Sequence, residues 1–149
     1  SLCSTKRLFK FLLNKFVIFV SLFLFSCSGY LIQAEEIKPE AVKCGVSRTI
    51  SETNHSETLT IKNKKFKKRL IEIGLDKTDV DYNLFVSIGL RGVKGYQLKL
   101  DKIMKDKDKS KIYFIETKLT QETFGAAVPV YPFCLLKVEN LDKIEVFIK

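Results

Sequence analysis

The stretch from Asp79 to Met104, DVDYNLFVSIGLRGVKGYQLKLDKIM, constrains the fold more than any other part of the chain. In its first arm Leu84, Val86 and Ile88 alternate with Phe85, Ser87 and Gly89, so both faces are mostly apolar. A strand of that kind belongs in the middle of a sheet, covered on two sides. In the second arm Tyr96, Leu98 and Leu100 alternate with Gln97, Lys99 and Asp101, the pattern of a half-buried strand. Gly92 and Gly95 lie between them and tolerate the positive φ that a tight turn requires. The expectation is a β-hairpin. Gly92, Lys94, Gly95 and Tyr96 at its bend are candidates for contact with a partner.

One helix is expected, over residues 63–73. Phe66, Leu70 and Ile73 recur at i, i+4 and i+7, one face of a 3.6-residue period. Asn63 can cap the first N–H groups and Gly74 can take the left-handed position past the end. Lys64, Lys65, Lys67, Lys68 and Arg69 are expected on the remaining surface as a solvated face, with a docking patch as the alternative. Further short strands are expected at 46–50, 59–61, 111–120, 133–138 and 143–148, with a charged hairpin loop at Lys105–Lys109. The fold class is therefore mainly β (α+β): a small antiparallel β-sandwich or open barrel of five to six strands with one helix.

Residues 1–27 carry Lys6, Arg7, Lys10 and Lys15, no acid, and the apolar run Phe16 to Phe25. That is the make-up of an export signal. It is short for a helix crossing the ~30 Å hydrocarbon core, which needs about 20 apolar residues. Leu24-Phe25-Ser26-Cys27 resembles a bacterial lipobox, which makes Cys27 the candidate for lipidation. An ordinary cut after Ala34, or a segment retained as a signal anchor, is the alternative. Residues 28–43 are expected to be a tether and 44–149 the domain.

Without the leader the chain holds 22 basic and 17 acidic residues, interspersed except at Lys62 to Arg69. Nucleic-acid binding is weakly supported by that balance, whereas an acidic protein or anionic lipid headgroups would suit it. In an exported chain Cys44 and Cys134 could form a disulfide or pack as separate thiols.

No residue group stands out as catalytic, cofactor-binding or metal-binding. His55, the single histidine, sits in a polar turn with no local nucleophile. Asp106-x-Asp108-x-Ser110 begins like a calcium loop, but Lys111 replaces the glycine that loop needs and Thr117 the bidentate Glu. The cysteines lack C-x-x-C spacing. Gly92-x-x-Gly95 opens a strand, whereas phosphate-binding loops open a helix.

Val80-Asp81-Tyr82, Ile88-Gly89, Gly95-Tyr96 and Pro132-Phe133 to Lys137 occur in an order that resembles the C-terminal domain of the PrcB family, small lipoprotein subunits of bacterial surface protease complexes. The resemblance spans residues 80–138. It departs at Val93-Lys94, where family members often carry Thr-Gly. It implies a non-enzymatic exported lipoprotein, anchored in the cell envelope, that binds and stabilises a subtilisin-like protease or its processing subunit. Tyr96, Tyr131 and Phe133 would be the aromatic anchors. A protease inhibitor using the same loops and a cell-surface structural or adhesion lipoprotein are the alternatives.

Overall fold

The computed structural model describes residues 33–50, 54–119, 128–141 and 143–149. The expected leader and the lipidation candidate Cys27 lie outside them. Residues 34–149 form one compact unit. The domain thus begins about ten residues before the expected boundary at Cys44. β1 (Glu35–Ile37) and the first three residues of β2 (Ala41–Ser47) occupy the segment read as a tether, and β2 ends inside the strand expected at 46–50. They escape periodicity analysis because one is three residues long and the other carries little alternation.

Then follow β3 (Glu57–Thr60), α1 (Lys64–Glu72), β4 (Leu84–Ser87), β5 (Tyr96–Asp106), β6 (Lys109–Lys118), β7 (Tyr131–Lys137) and β8 (Lys143–Ile148). The described residues hold eight strands rather than five or six. They form two four-stranded sheets, the first ordered β1-β5-β6-β8 and the second β2-β7-β4-β3. Neighbouring strands run antiparallel except β6 and β8, which are parallel. The architecture is an open sandwich, as expected for the class.

The central position of the first arm is confirmed: Leu84, Phe85, Val86 and Ser87 are all buried. β4 lies between β3 and β7 and is covered on both faces. Leu84, Val86 and Ile88 join Cys134 and Leu136 against Leu98, Ile103, Ile112 and Phe114 of the first sheet. On the opposite face Phe85, Tyr131, Phe133 and Leu135 pack beneath Phe66 of α1, with Leu70, Ile73 and Leu75 alongside. Helix and connector thus form a third layer over the second sheet.

The Asp79–Met104 hairpin is not formed. Its arms, β4 and β5, enter different sheets, so residues 88–95 are a crossover between layers. Both strands have apolar faces that the inter-sheet core can bury, and β4 finds longer-range partners in β3 and β7. The local hairpin in the first sheet is instead β5–β6, closed at Lys107 and Asp108, with Lys107 in the left-handed region at φ 50°.

The helix follows its caps. The Asn63 side chain accepts from the Lys65 N–H at 2.9 Å. At the other end Gly74 takes φ 73°. The Gly74 N–H donates to the Ile71 carbonyl and the Leu75 N–H to the Leu70 carbonyl, at 3.0 and 2.9 Å. That pair of bonds is a Schellman motif, and Leu75 and Leu70 share the core beside it.

Candidate functional site

Four features could bear function: the crossover, a charge network under α1, the disulfide, and the free edge of β2. At the crossover, Arg91 exchanges two backbone hydrogen bonds of 2.8 Å with Val130. Its side chain then reaches the first sheet, where Nε and an Nη donate to the two carboxylate oxygens of Glu116 at 2.7 and 3.0 Å. The other Nη donates to the Ile88 carbonyl at 2.9 Å. The hydrogen bond from Arg91 holds the Glu116 carboxyl below its usual range, outweighing the upward push of burial.

Tyr96 is fixed in the same cluster. The Arg91 guanidinium lies 5.8 Å from its ring centroid and the Lys118 ammonium 5.3 Å, within reach of cation–π attraction. Lys94 is exposed. Gly95 has φ 98°, and a Cβ there would stand 3.0 Å from the Leu119 carbonyl oxygen. Gly92 differs from expectation, because it is not among the positive-φ glycines and has open space around its Cα. Gly89, at φ 82°, takes the demanding backbone position instead.

Tyr131 and Phe133, expected as surface anchors, are core residues. β7 runs through the middle of the second sheet, so its odd-numbered side chains point under α1. The Tyr131 hydroxyl donates to Glu57 at 2.5 Å. Arg69 also binds Glu57 with both carboxylate oxygens, at 2.9 and 3.0 Å, and donates to Glu72 at 2.6 Å. Burial raises the Glu57 pKa, but the hydrogen bonds from Arg69 and Tyr131 and the Arg69 and Lys65 charges leave it lowered overall. With its charge met on every side, the cluster reads as an ionic clasp between α1, β3 and β7.

Arg69 was expected on the solvated face and is buried, at 3 % exposure. A signal for this exists in the sequence. Arg69 stands at i+3 from Phe66 and i−4 from Ile73, on the core side of the helix, and it is the single arginine in a run of lysines. Arginine's planar fork suits a buried carboxylate better than an ammonium does.

Cys44 and Cys134 form a disulfide and face each other across β2 and β7. Their Cα atoms are 4.0 Å apart, the close spacing of an antiparallel pair without backbone hydrogen bonds between its members. The alternation then directs the N–H and C=O groups of Val42, Cys44 and Val46 away from β7. Among the described residues β2 pairs with β7 alone. Val42 and Val46 are 43 % and 42 % exposed. β2 is thus the longest of the four strands at the sheet edges, with a free edge and two uncovered valines.

Among the described residues no three His, Cys, Asp or Glu side chains gather as a metal site, and no helix is long and apolar enough to cross a membrane. His55 lies in a loop whose backbone packs on Gly89. Comparison with family models, curated proteins and solved structures finds no match to this chain.

Proposed function

We propose that this chain is a non-enzymatic, envelope-anchored binding domain that holds an exported partner protein by adding a partner strand to β2. The observation that carries the reading is the β2 edge: seven residues, outward-facing backbone groups at Val42, Cys44 and Val46, and half-exposed valines beside them. An edge of that length is a template for another strand unless charge, proline or a bulge blunts it. Here Lys43 is its one charged residue. Main-chain hydrogen bonds would supply affinity and the valines would select apolar side chains. The disulfide keeps the inner side of β2 on β7, so the edge is ordered before a partner arrives and less ordering entropy is lost on binding.

The PrcB resemblance suggests the partner: a subtilisin-like protease or its processing subunit, stabilised at the membrane to which a lipid on Cys27 would hold the domain. Co-purification of the tagged full chain from its own cells tests this. Val42→Pro removes one outward N–H without touching the β2–β7 ladder, and Val46→Lys places a charge on the edge. Both should lower protease recovery at least tenfold while melting like the wild type. Undiminished recovery with both variants would sink the β2 reading. Protease activity that falls rather than persists when the domain is added would assign an inhibitor instead.

A further inference from the structure

The net charge of the domain is concentrated on one short helix. From residue 28 onward the chain has 22 basic and 17 acidic residues, and residues 61–73 hold six of the basic ones against Glu72 alone. Everywhere else the two signs balance at sixteen each. Arg69 is spent internally on Glu57 and Glu72, which leaves five exposed lysines on and just before α1.

Their arrangement is regular. Lys64, Lys67, Lys68 and Ile71 occupy i, i+3, i+4 and i+7, one stripe of the helix, opposite the Phe66, Leu70 and Ile73 stripe that enters the core. Lys68 also meets Glu72 at 3.7 Å. Ile71 is 55 % exposed, and Ile61, just before the helix, 63 %. These are the two most exposed large hydrophobic residues described. An acidic polypeptide would complement the lysines alone. An anionic bilayer complements both residue types, because its phosphates take the ammonium groups while its headgroup–acyl boundary takes aliphatic side chains. Lysine stems lie along such a boundary with their heads in water.

We infer that the outer face of α1 rests on an anionic lipid surface, with Lys64 and Lys67 on headgroup phosphates and Ile71 entering the interface. A helix of nine residues docks shallowly and reversibly, and salt weakens it. The inference is independent of strand addition at β2.

Lysine acetylation of the full chain, followed by mass spectrometry, tests it whatever the N-terminal segment does. Vesicles of phosphatidylcholine with phosphatidylglycerol are compared with phosphatidylcholine alone, and Lys99 and Lys102 of β5 serve as the internal reference. Labelling of Lys64 and Lys67 should drop roughly fivefold or more on the anionic vesicles, on the scale of one lysine near a charged membrane. Salt at about 0.5 M should restore it. Lys64→Glu with Lys67→Glu should abolish protection of Lys62 and Lys65, and Ile71→Ser should weaken it. Both changes lie on the outer face, so unaltered melting is the folding control. Equal labelling on both vesicle types overturns the inference, as does equal protection of Lys99 and Lys102. Polyglutamate in solution protecting the helix better than the vesicles do would also overturn it, in favour of an acidic polypeptide.

Discussion

Cys44 and Cys134 are ninety residues apart in sequence and directly opposite each other in the β2–β7 ladder. The bond therefore closes a loop containing most of the domain and holds the edge strand in one register. A slip of β2 by one residue would turn Val42, Cys44 and Val46 to the other face of the sheet, and the disulfide forbids it.

Chain-entropy arguments place the stabilisation from a loop of that length at about 4.5 kcal/mol. Cys44→Ser with Cys134→Ser should lower unfolding free energy by about that amount. Urea unfolding of the variant and of the reduced wild type should agree, both at a lower midpoint than the oxidised wild type. A midpoint insensitive to reductant would show that the β2–β7 ladder is held without the bond.

Arg69→Met leaves the Glu57 carboxylate, whose side chain is 11 % exposed, without its principal cation. Breaking a buried pair from one side costs about 3–5 kcal/mol. The double variant with Glu57→Leu should recover part of that loss, because no buried charge is then stranded. Thermal melts of both variants and the wild type decide it.

Glu57 and Glu116 both titrate below their usual value of 4.5 in the folded chain. A carboxyl with a depressed folded pKa contributes stability that is complete above its unfolded pKa and lost as pH falls through the folded one. Stability should therefore be flat above about pH 5 on this account and decline below about pH 4.5. Glu116→Gln should make the decline shallower. Denaturant midpoints between pH 3 and 7 give the slope.

Gly89 should be sensitive to alanine and Gly92 indifferent to it. At Gly89 the backbone sits at φ 82°, and a Cβ would lie 2.7 Å from the His55 carbonyl oxygen. A positive φ alone costs about 1–2 kcal/mol in a non-glycine residue, and the clash adds to it. At Gly92 nothing lies within 4 Å of the added carbon, so Gly92→Ala should stay within about 0.5 kcal/mol of the wild type. Equal melting temperatures for the two variants would contradict this backbone assignment.

Much of the fold was legible because its signals are local. Asn63, the Phe66–Leu70–Ile73 spacing and Gly74 mark the helix, and each plays the expected part. The arm Leu84–Ile88, mostly apolar on both faces, marks a central strand. Parts of the candidate site were not legible. The position of Arg69 on the core side of the helix was legible, but not its partners Glu57 and Tyr131, which arrive from 12 and 62 residues away. Tyr131 and Phe133 looked like anchors, because an aromatic residue reads the same at a surface or in a core until both neighbours of its strand are known.

The sequence by itself determined the helix and the strands with a clear period, and which of their faces are apolar, because these follow from backbone sterics and side-chain period. Only the tertiary structure decided which strands meet. β4 and β5, adjacent in sequence and joined by glycines, parted into separate sheets because β7 and β3 cover β4 more completely than a hairpin partner could. The same packing put Cys134 opposite Cys44 and left β2 at the edge. Strand pairing is a choice among distant partners whose free energies differ through burial, and no local pattern records that difference.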